Sequence, residues 1–193
     1  MNFRYYNFFF IIFFLSLLSS PLVLSKEMFV LDDLTNSGKT LQNQEWSFFT
    51  DGVMGGLSQG NVSKDNISGK SCYRMQGNVT TENNGGFIQI VAPIKPIMKA
   101  KDFEGVYIKV FGNNKRYFLH IRTPLTLAPW QYYSFSFEAS SNWTLIKAPF
   151  EDFKRSNFYQ PKTILNQKIK TVGVLAGFDN YQADICIAEI GFY

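Results

Sequence analysis

Histidine is almost absent from this chain, which has one histidine and two cysteines among 193 residues. General acid–base catalysis uses histidine more often than any other side chain, and a zinc site usually needs four Cys, His or carboxylate ligands. His120 stands between two apolar residues and has no Ser or Cys motif beside it. Paired carboxylates would be the remaining route to a glycosidase, but nothing in the sequence pairs them across the fold. The sequence therefore predicts no metal site, no cofactor and no enzymatic activity.

Charge is also sparse and forms no run along the chain. Charged residues make up 18% of the sequence, and 19 Lys and Arg against 15 Asp and Glu leave a formal net charge of +4. A nucleic-acid-binding domain normally carries a basic patch or stripe. Because no basic run is present, we predict that nucleic acid is not a partner.

A long hydrophobic run is present at the start. After Arg4, residues 8–18 form a Phe-rich run of about a dozen residues, which is short for a membrane span and typical of a signal peptide. Ser25 is a small residue just before Lys26, so we expect a signal peptide over 1–25 and one domain over 26–193. The protein is then exported, to a periplasm or to the outside. The alternative is an uncut leader, which would be the domain's only membrane contact.

Helical periodicity is nearly absent after the leader, whereas alternation of apolar and other residues recurs from one segment to the next. Such a period of two with one apolar face is typical of half-buried antiparallel strands. Gly112-Asn-Asn-Lys115 has the composition of a hairpin turn. We expect an all-β chain that folds as a single jelly-roll-type β-sandwich. Strands are predicted at 28–33, 46–50, 57–63, 71–77, 86–91, 104–111, 116–122, 132–138, 143–149, 169–176 and 183–192, with short helical turns at 97–101 and 151–155.

A glycine-rich string lies in the first half of the chain. It reads Asp51-Gly-Val-Met-Gly-Gly-Leu-Ser58 and is followed by Gly85-Gly86-Phe87. A phosphate-binding loop would add a Lys at fixed spacing, and none is present. Two interpretations of Asp51 stay open. In one the loop presents Asp51 to a ligand or metal; in the other Asp51 accepts backbone N–H groups in an Asx-type turn, and Gly52, Gly55 and Gly56 supply positive φ.

In its order of motifs, the sequence resembles the complex I intermediate-associated protein 30 family. The resemblance continues through a strand that ends at Gly112, a Tyr-x-Leu-x-Leu-Arg-like strand at 117–122, an aromatic element at 149–153 and a closing hairpin at 172–193. It covers nearly all of 26–193. The motif residues, to which the resemblance gives a structural role, are Trp46, Asp51, Gly52, Val53, Met54, Gly55, Gly56, Ser58, Gly85, Gly86, Phe87 and Trp143.

The resemblance implies a β-sandwich similar to galactose-binding domains and a non-catalytic role in assembly. The eukaryotic member assists respiratory complex I at the mitochondrial inner membrane, which would need an amphipathic, Arg-rich address, whereas this leader is apolar throughout. We therefore expect an exported binding or assembly factor with a protein partner. The alternative is a carbohydrate-binding module that recognises a glycan.

The carbohydrate-binding alternative depends on a set of aromatic and cationic residues on the predicted non-core face of the middle strands. Flat rings can stack on sugar rings while charged donors bind hydroxyl groups, and exposed aromatic residues often mark a binding surface. A covering layer formed by residues 88–98 is the competing interpretation of the same face. The candidate ligand-binding residues are Tyr107, Lys109, Phe118, His120, Arg122, Trp130 and Tyr132.

The two cysteines, Cys72 and Cys186, form an even pair, which invites a disulfide in an oxidising compartment. The alternation directs both side chains away from the sandwich core. They can bond only if their strands are neighbours in one sheet. The sequence does not decide whether the two cysteines form a disulfide or remain free thiols.

Overall fold

The computed structural model of the protein describes residues 28–36 and 38–193. The predicted leader, 1–25, lies outside the described residues. The described chain folds into two six-stranded antiparallel sheets, so the predicted all-β sandwich is confirmed. Within these residues no helix has the length and hydropathy of a membrane span.

The first sheet consists of β1 (Phe29–Asp32), β3 (Gln59–Ile67), β4 (Lys70–Val79), β6 (Gly105–Gly112), β9 (Thr144–Pro149) and β12 (Tyr181–Phe192). Its order is β3-β4-β12-β6-β9, and β1 pairs with the end of β12. The second sheet consists of β2 (Ser47–Thr50), β5 (Phe87–Lys99), β7 (Lys115–Arg122), β8 (Tyr133–Ala139), β10 (Lys154–Arg155) and β11 (Lys168–Gly177), in the order β10-β8-β7-β11-β5-β2.

The main core lies between the sheets and is built from the inward face of each strand. On the order of 1.5–3 kcal/mol is gained for each large apolar side chain that leaves water, so this layer supplies most of the stabilisation. The faces predicted from the alternation are confirmed for β6 and β7. Their fully buried core residues are Val106, Ile108 and Val110 on β6, and Tyr117, Leu119 and Ile121 on β7.

The prediction of a hairpin at 112–115 is wrong. β6 ends at Gly112 in the first sheet and β7 begins at Lys115 in the second, so the chain crosses between sheets. The Gly112 N–H donates to the Ser140 carbonyl and the Asn114 N–H to the Ala139 carbonyl, which closes the corner against the end of β8. Turn composition predicts the reversal of the chain but not the sheet that the next strand joins.

β5 is longer than predicted, because it continues through Pro93 and Pro96 to Lys99. The β5–β11 ladder is irregular between Ile169 and Thr171, and Thr171 lies opposite Pro93. Proline lacks an N–H group, so it is tolerated where the ladder is interrupted. The predicted covering layer over 88–98 is therefore wrong, since this segment is part of the second sheet. The two predicted helical turns are single 3-10 turns, Ala100–Asp102 and Phe150–Asp152.

A second, smaller apolar cluster covers part of the outer face of the first sheet. Cys72 on β4 and Cys186 on β12 form a disulfide there, with Cα atoms 5.4 Å apart. The two strands are neighbours in the sheet, as such a bond requires. Trp143 and Phe111 pack on this cluster, with ring centroids 5.8 Å apart. The disulfide is thus buried although it points away from the main core.

Candidate functional site

Asp51 is the centre of the glycine-rich motif and joins its two halves. The carboxylate is completely buried and accepts hydrogen bonds from the Ser58 N–H (2.9 Å) and the Ser58 hydroxyl (2.5 Å). The N–H groups of Gly86 (2.5 Å) and Phe87 (3.2 Å) donate to Oδ2. Since the second pair of donors lies about 35 residues further on, Asp51 is not in the predicted local Asx turn. Through these hydrogen bonds, Asp51 attaches the 51–58 loop to the start of β5.

The glycines of the motif serve mainly to make room for this carboxylate. A Cβ atom on Gly56 or Gly85 would overlap the Asp51 side chain. Gly55 has a positive φ of 91° where it ends the 3-10 turn Asp51–Met54. The prediction that Gly52 and Gly56 also need positive φ is wrong. Close approach rather than backbone conformation therefore explains the choice of glycine at Gly56.

The pKa of Asp51 reflects two opposed effects. Burial alone would raise it, but the hydrogen bonds from Ser58, Gly86 and Phe87 stabilise the charged form and hold the pKa below its ordinary value. Asp51 is therefore an ionised structural anchor at neutral pH. Four donors of the protein itself already occupy the carboxylate, which favours the structural interpretation of this residue.

The loop fixed by Asp51 exposes apolar side chains. Val53 is 74% and Met54 65% exposed, and Leu57 is 48% exposed. The loop is held by Thr50, whose hydroxyl accepts the Gly52 N–H at 3.1 Å. The motif thus combines a buried polar anchor with an exposed apolar tip.

The two tryptophans of the family motif have structural roles. The Trp46 indole donates to Asp32 and packs on Tyr73 with ring centroids 6.1 Å apart. The Trp143 indole donates to the Ile67 carbonyl at 3.1 Å. Both rings are partly buried against strands of the first sheet.

The predicted ligand-binding face is divided between the two sheets. Tyr107 and Lys109 lie on β6 in the first sheet, so the structure does not bring them together with the residues of β7. Tyr107 is fully buried, and its hydroxyl donates to Glu189 at 2.8 Å. The reason is the crossing at 112–115, which places these consecutive strands in opposite sheets.

Phe118, His120, Arg122 and Tyr132 do come together on the outer face of the second sheet. Tyr132 stacks on His120 with ring centroids 4.1 Å apart, and it helps to bury the imidazole, which is 5% exposed. The Arg122 guanidinium donates to the carbonyls of Thr126 and Ala128, in the loop that contains Trp130. Trp130 itself is 66% exposed. The polar groups that a ligand would need are thus partly used inside the protein.

Phe178 also belongs to this face and is not among the residues predicted from the sequence. Its ring lies 4.9 Å from that of Phe118 and 6.2 Å from that of His120, and it is 54% exposed. Its φ of 67° is unusual for a bulky residue and follows Gly177 in the turn between β11 and β12. In the sequence, the turn-forming Asp179-Asn180 pair is the feature that predicts a turn beside Phe178.

His120 is expected to stay neutral down to unusually low pH. Burial lowers its pKa to about 3, and its Nε2 has no hydrogen-bond partner in the described chain. NMR titration of the imidazole should show no transition between about pH 5 and 8, where an ordinary histidine titrates. Tyr132→Ala uncovers the ring and should move the transition toward pH 6.5, and an unshifted transition near 6.5 in the wild type would contradict this burial.

A neutral, buried imidazole is poorly suited to acid–base chemistry near neutral pH. Within residues 28–36 and 38–193, no group of three or more His, Cys, Asp or Glu side chains is arranged to hold a metal ion. The outer face of the second sheet exposes apolar and aromatic surface at Trp130 and Phe178.

Solved structures share this fold. The family 11 carbohydrate-binding module of the cellulosomal cellulase Lic26A-Cel5E of Clostridium thermocellum superposes with a TM-score of 0.66 at 15% identity, over 86% of this chain and 94% of that one. The Clostridium thermocellum family 11 module in complex with a β-1,3-1,4-mixed-linked tetrasaccharide gives 0.64 at 16% identity, over the same shares. An agarase aligns at 10% identity and a TM-score of 0.53, over 84% of this chain but only 26% of its own. At these identities the likeness shows the fold alone, and it agrees with the predicted jelly-roll-type β-sandwich.

No curated protein matches the chain in sequence. The model of the family described as complex I intermediate-associated protein 30 matches residues 35–187, which include the whole glycine-rich motif and the disulfide. The motif residues and the fold agree with this match, and the chain belongs to the complex I intermediate-associated protein 30 family.

Proposed function

We propose that this protein is an exported, non-catalytic module that binds a protein partner and helps it to assemble. The observation that carries the proposal is the exposure of Val53 and Met54 on a loop that Asp51 fixes from below. A loop with a purely structural role would gain stability by burying these two side chains. Their exposure on a loop that these buried hydrogen bonds hold in place favours a contact surface.

The chemistry of the loop suits a protein partner. Methionine is flexible and polarisable, so it adapts to irregular apolar surfaces. Val53, Met54 and Leu57 offer no hydrogen-bonding side chains, whereas sugar recognition needs polar groups beside flat rings. Family membership supports a protein partner, since the family name describes association with a complex I intermediate.

Export is supported by two features. The disulfide between Cys72 and Cys186 suits an oxidising compartment. The predicted signal peptide over 1–25 directs the chain to such a compartment. The available partners are then proteins of a cell envelope or of the extracellular space.

Photo-cross-linking from the loop tests the proposal. A photoreactive phenylalanine analogue at Val53 should give one specific adduct in envelope extracts, and the Val53→Ser/Met54→Ser variant should lose at least about 90% of partner recovery with a melting temperature within about 2 °C of wild type. The same analogue at Leu145, which is 51% exposed on β9, is the matched control. Equal adducts from both positions, or unchanged recovery by the double variant, would refute the proposal.

Glycan recognition is the second candidate, and the aromatic face of the second sheet is the observation that favours it. Phe118, Tyr132 and Phe178 are only partly covered, and a pocket of about 230 Å³ beside Phe178 is lined by Lys115 and Arg116. The family 11 module with its bound tetrasaccharide has the same fold. A glycan array that includes β-1,3-1,4-glucans separates the candidates: selective binding that is lost in Phe178→Ala favours a glycan, and silence with a Val53 adduct favours a protein.

A further inference from the structure

The end of the sandwich opposite the Asp51 loop brings three segments together: 93–102, 122–132 and 154–170. Lys168 pairs with Lys99, Arg122 with Thr171, and Lys154 with Ser134, so the end of β5, the end of β7 and the starts of β8 and β11 meet there. The Thr123 hydroxyl donates to the Gln167 side chain at 2.6 Å and joins two of the segments directly. We call this region the basic end.

Charge is concentrated at the basic end, although it looks dispersed along the sequence. The three segments contain nine of the chain's 19 Lys and Arg residues and one of its 15 Asp and Glu residues, Asp102. They therefore carry a net charge of +8, and the rest of the chain carries −4. The exposed cations are Lys95, Lys99, Lys101, Lys154, Lys162, Lys168 and Lys170.

Large apolar side chains project from the same region. Leu127 is 85%, Phe158 79% and Tyr159 88% exposed, and Trp130 is 66% exposed. Leu125, at 54%, adds to them. Exposed apolar groups of this size, in segments that also carry exposed lysines, are unusual on a surface that faces only water.

The two loops that carry these side chains are tied together and to the sheet. The Ser156 hydroxyl donates to the Trp130 carbonyl at 2.7 Å, and the Gln160 amide donates to the Tyr132 carbonyl at 3.0 Å. Arg155 donates to two carbonyls of its own loop, those of Phe158 and Gln160. Many backbone carbonyls are thus paired inside the protein, which lowers the cost of moving the loop tips out of water.

We propose that the basic end docks on an anionic lipid surface. Leu127 and Phe158 would enter the boundary between headgroups and acyl chains, Trp130 and Tyr159 would lie at headgroup level, and the lysines would bind the acidic headgroups. A polynucleotide would use the lysines but would leave the leucines without a partner. Seven exposed lysines outnumber the exposed acidic residues at this end, which are Asp102 within the segments and Glu104, Glu151 and Asp152 beside them. This excess of positive charge favours acidic headgroups over a protein partner.

Docking in this way orients the whole module. The Asp51 loop lies at the other end of β5, beside Phe87, so a molecule that sits on its basic end directs Val53 and Met54 away from the membrane surface. The inference does not depend on the proposed function, because lipid binding is measured without any protein partner.

Vesicle binding tests the inference on the purified domain, residues 26–193. Co-sedimentation with phosphatidylcholine vesicles that contain about 30% phosphatidylglycerol should be strong, and it should fall at least about tenfold with pure phosphatidylcholine or at 0.5 M salt. Emission from Trp130 should shift to the blue on binding, and Trp130→Phe should abolish the shift, because Trp46 and Trp143 are already partly buried.

Three double variants provide the matched comparison. Lys162→Glu/Lys168→Glu should weaken binding at least about tenfold, whereas Lys115→Glu/Arg116→Glu, which removes the same charge at the other end, should change it by less than about twofold. Leu127→Ser/Phe158→Ser should weaken binding about tenfold without changing the melting temperature. Equal effects of the two charge pairs, equal binding to uncharged vesicles, or retention of a single-stranded oligonucleotide in place of vesicles would each overturn the inference.

Discussion

Replacing Asp51 with alanine is expected to lower the free energy of unfolding by about 3 to 5 kcal/mol. The carboxylate accepts two hydrogen bonds from Ser58 and one each from Gly86 and Phe87, and three of the four are buried. Alanine would leave these donors without a partner in a site closed to water, and the 51–58 loop would lose its attachment to β5. Urea denaturation at pH 7 measures the change.

Two further variants show that the effect comes from the buried anion. Asp33→Ala is the matched control, because the exposed Asp33 carboxylate bonds only locally to Thr35, and we expect a loss below about 1 kcal/mol. Asp51→Asn keeps the shape but not the charge. Since the folded pKa of Asp51 lies below its ordinary value of 3.8, the stability difference between wild type and Asp51→Asn should be full above about pH 4 and shrink as the pH falls through that pKa. A difference that grows on acidification would contradict this account.

Asp51 also shows how far the sequence can be interpreted alone. The motif could be recognised and its structural role preferred, but its partners could not be named, because hydrogen bonds to Gly86 and Phe87 span about 35 residues. Local rules describe turns, and they assign a short-range partner to an Asp beside glycines. The sequence contains no signal for a long-range pairing of this kind.

Strand positions and inward faces were predictable, because alternation of side chains follows directly from the pleat of a strand. The partner sheet of each strand was not. Tyr107 and Phe118 have similar surroundings in the sequence, and yet the corner at 112–115 places them on opposite sheets. The same folding collects lysines from three distant segments at one end. The charge is therefore dispersed along the sequence, as predicted, but concentrated in the folded structure.

Replacing both cysteines with alanine, Cys72→Ala/Cys186→Ala, is expected to lower the free energy of unfolding by about 4 kcal/mol. The bond joins residues that are 114 positions apart, and closing so long a loop removes much conformational freedom from the unfolded chain. The alanines keep the surroundings of Trp143 and Phe111 apolar, so the loss measures mainly the cross-link. Thermal and urea unfolding of the oxidised wild type and the variant give the difference.

The reduced wild type is the informative control, because it keeps both sulfur atoms in the cluster and removes only the covalent bond. It should lose nearly as much stability as the double variant, whereas a loss confined to the variant would assign the effect to packing around Trp143. Mass spectrometry after alkylation without reductant should find no free thiol in the native protein. A chain that loses about 4 kcal/mol on reduction would retain little stability in a reducing cytosol, which gives a physical reason for the proposed export. Two alkylated cysteines in the native protein would remove that reason.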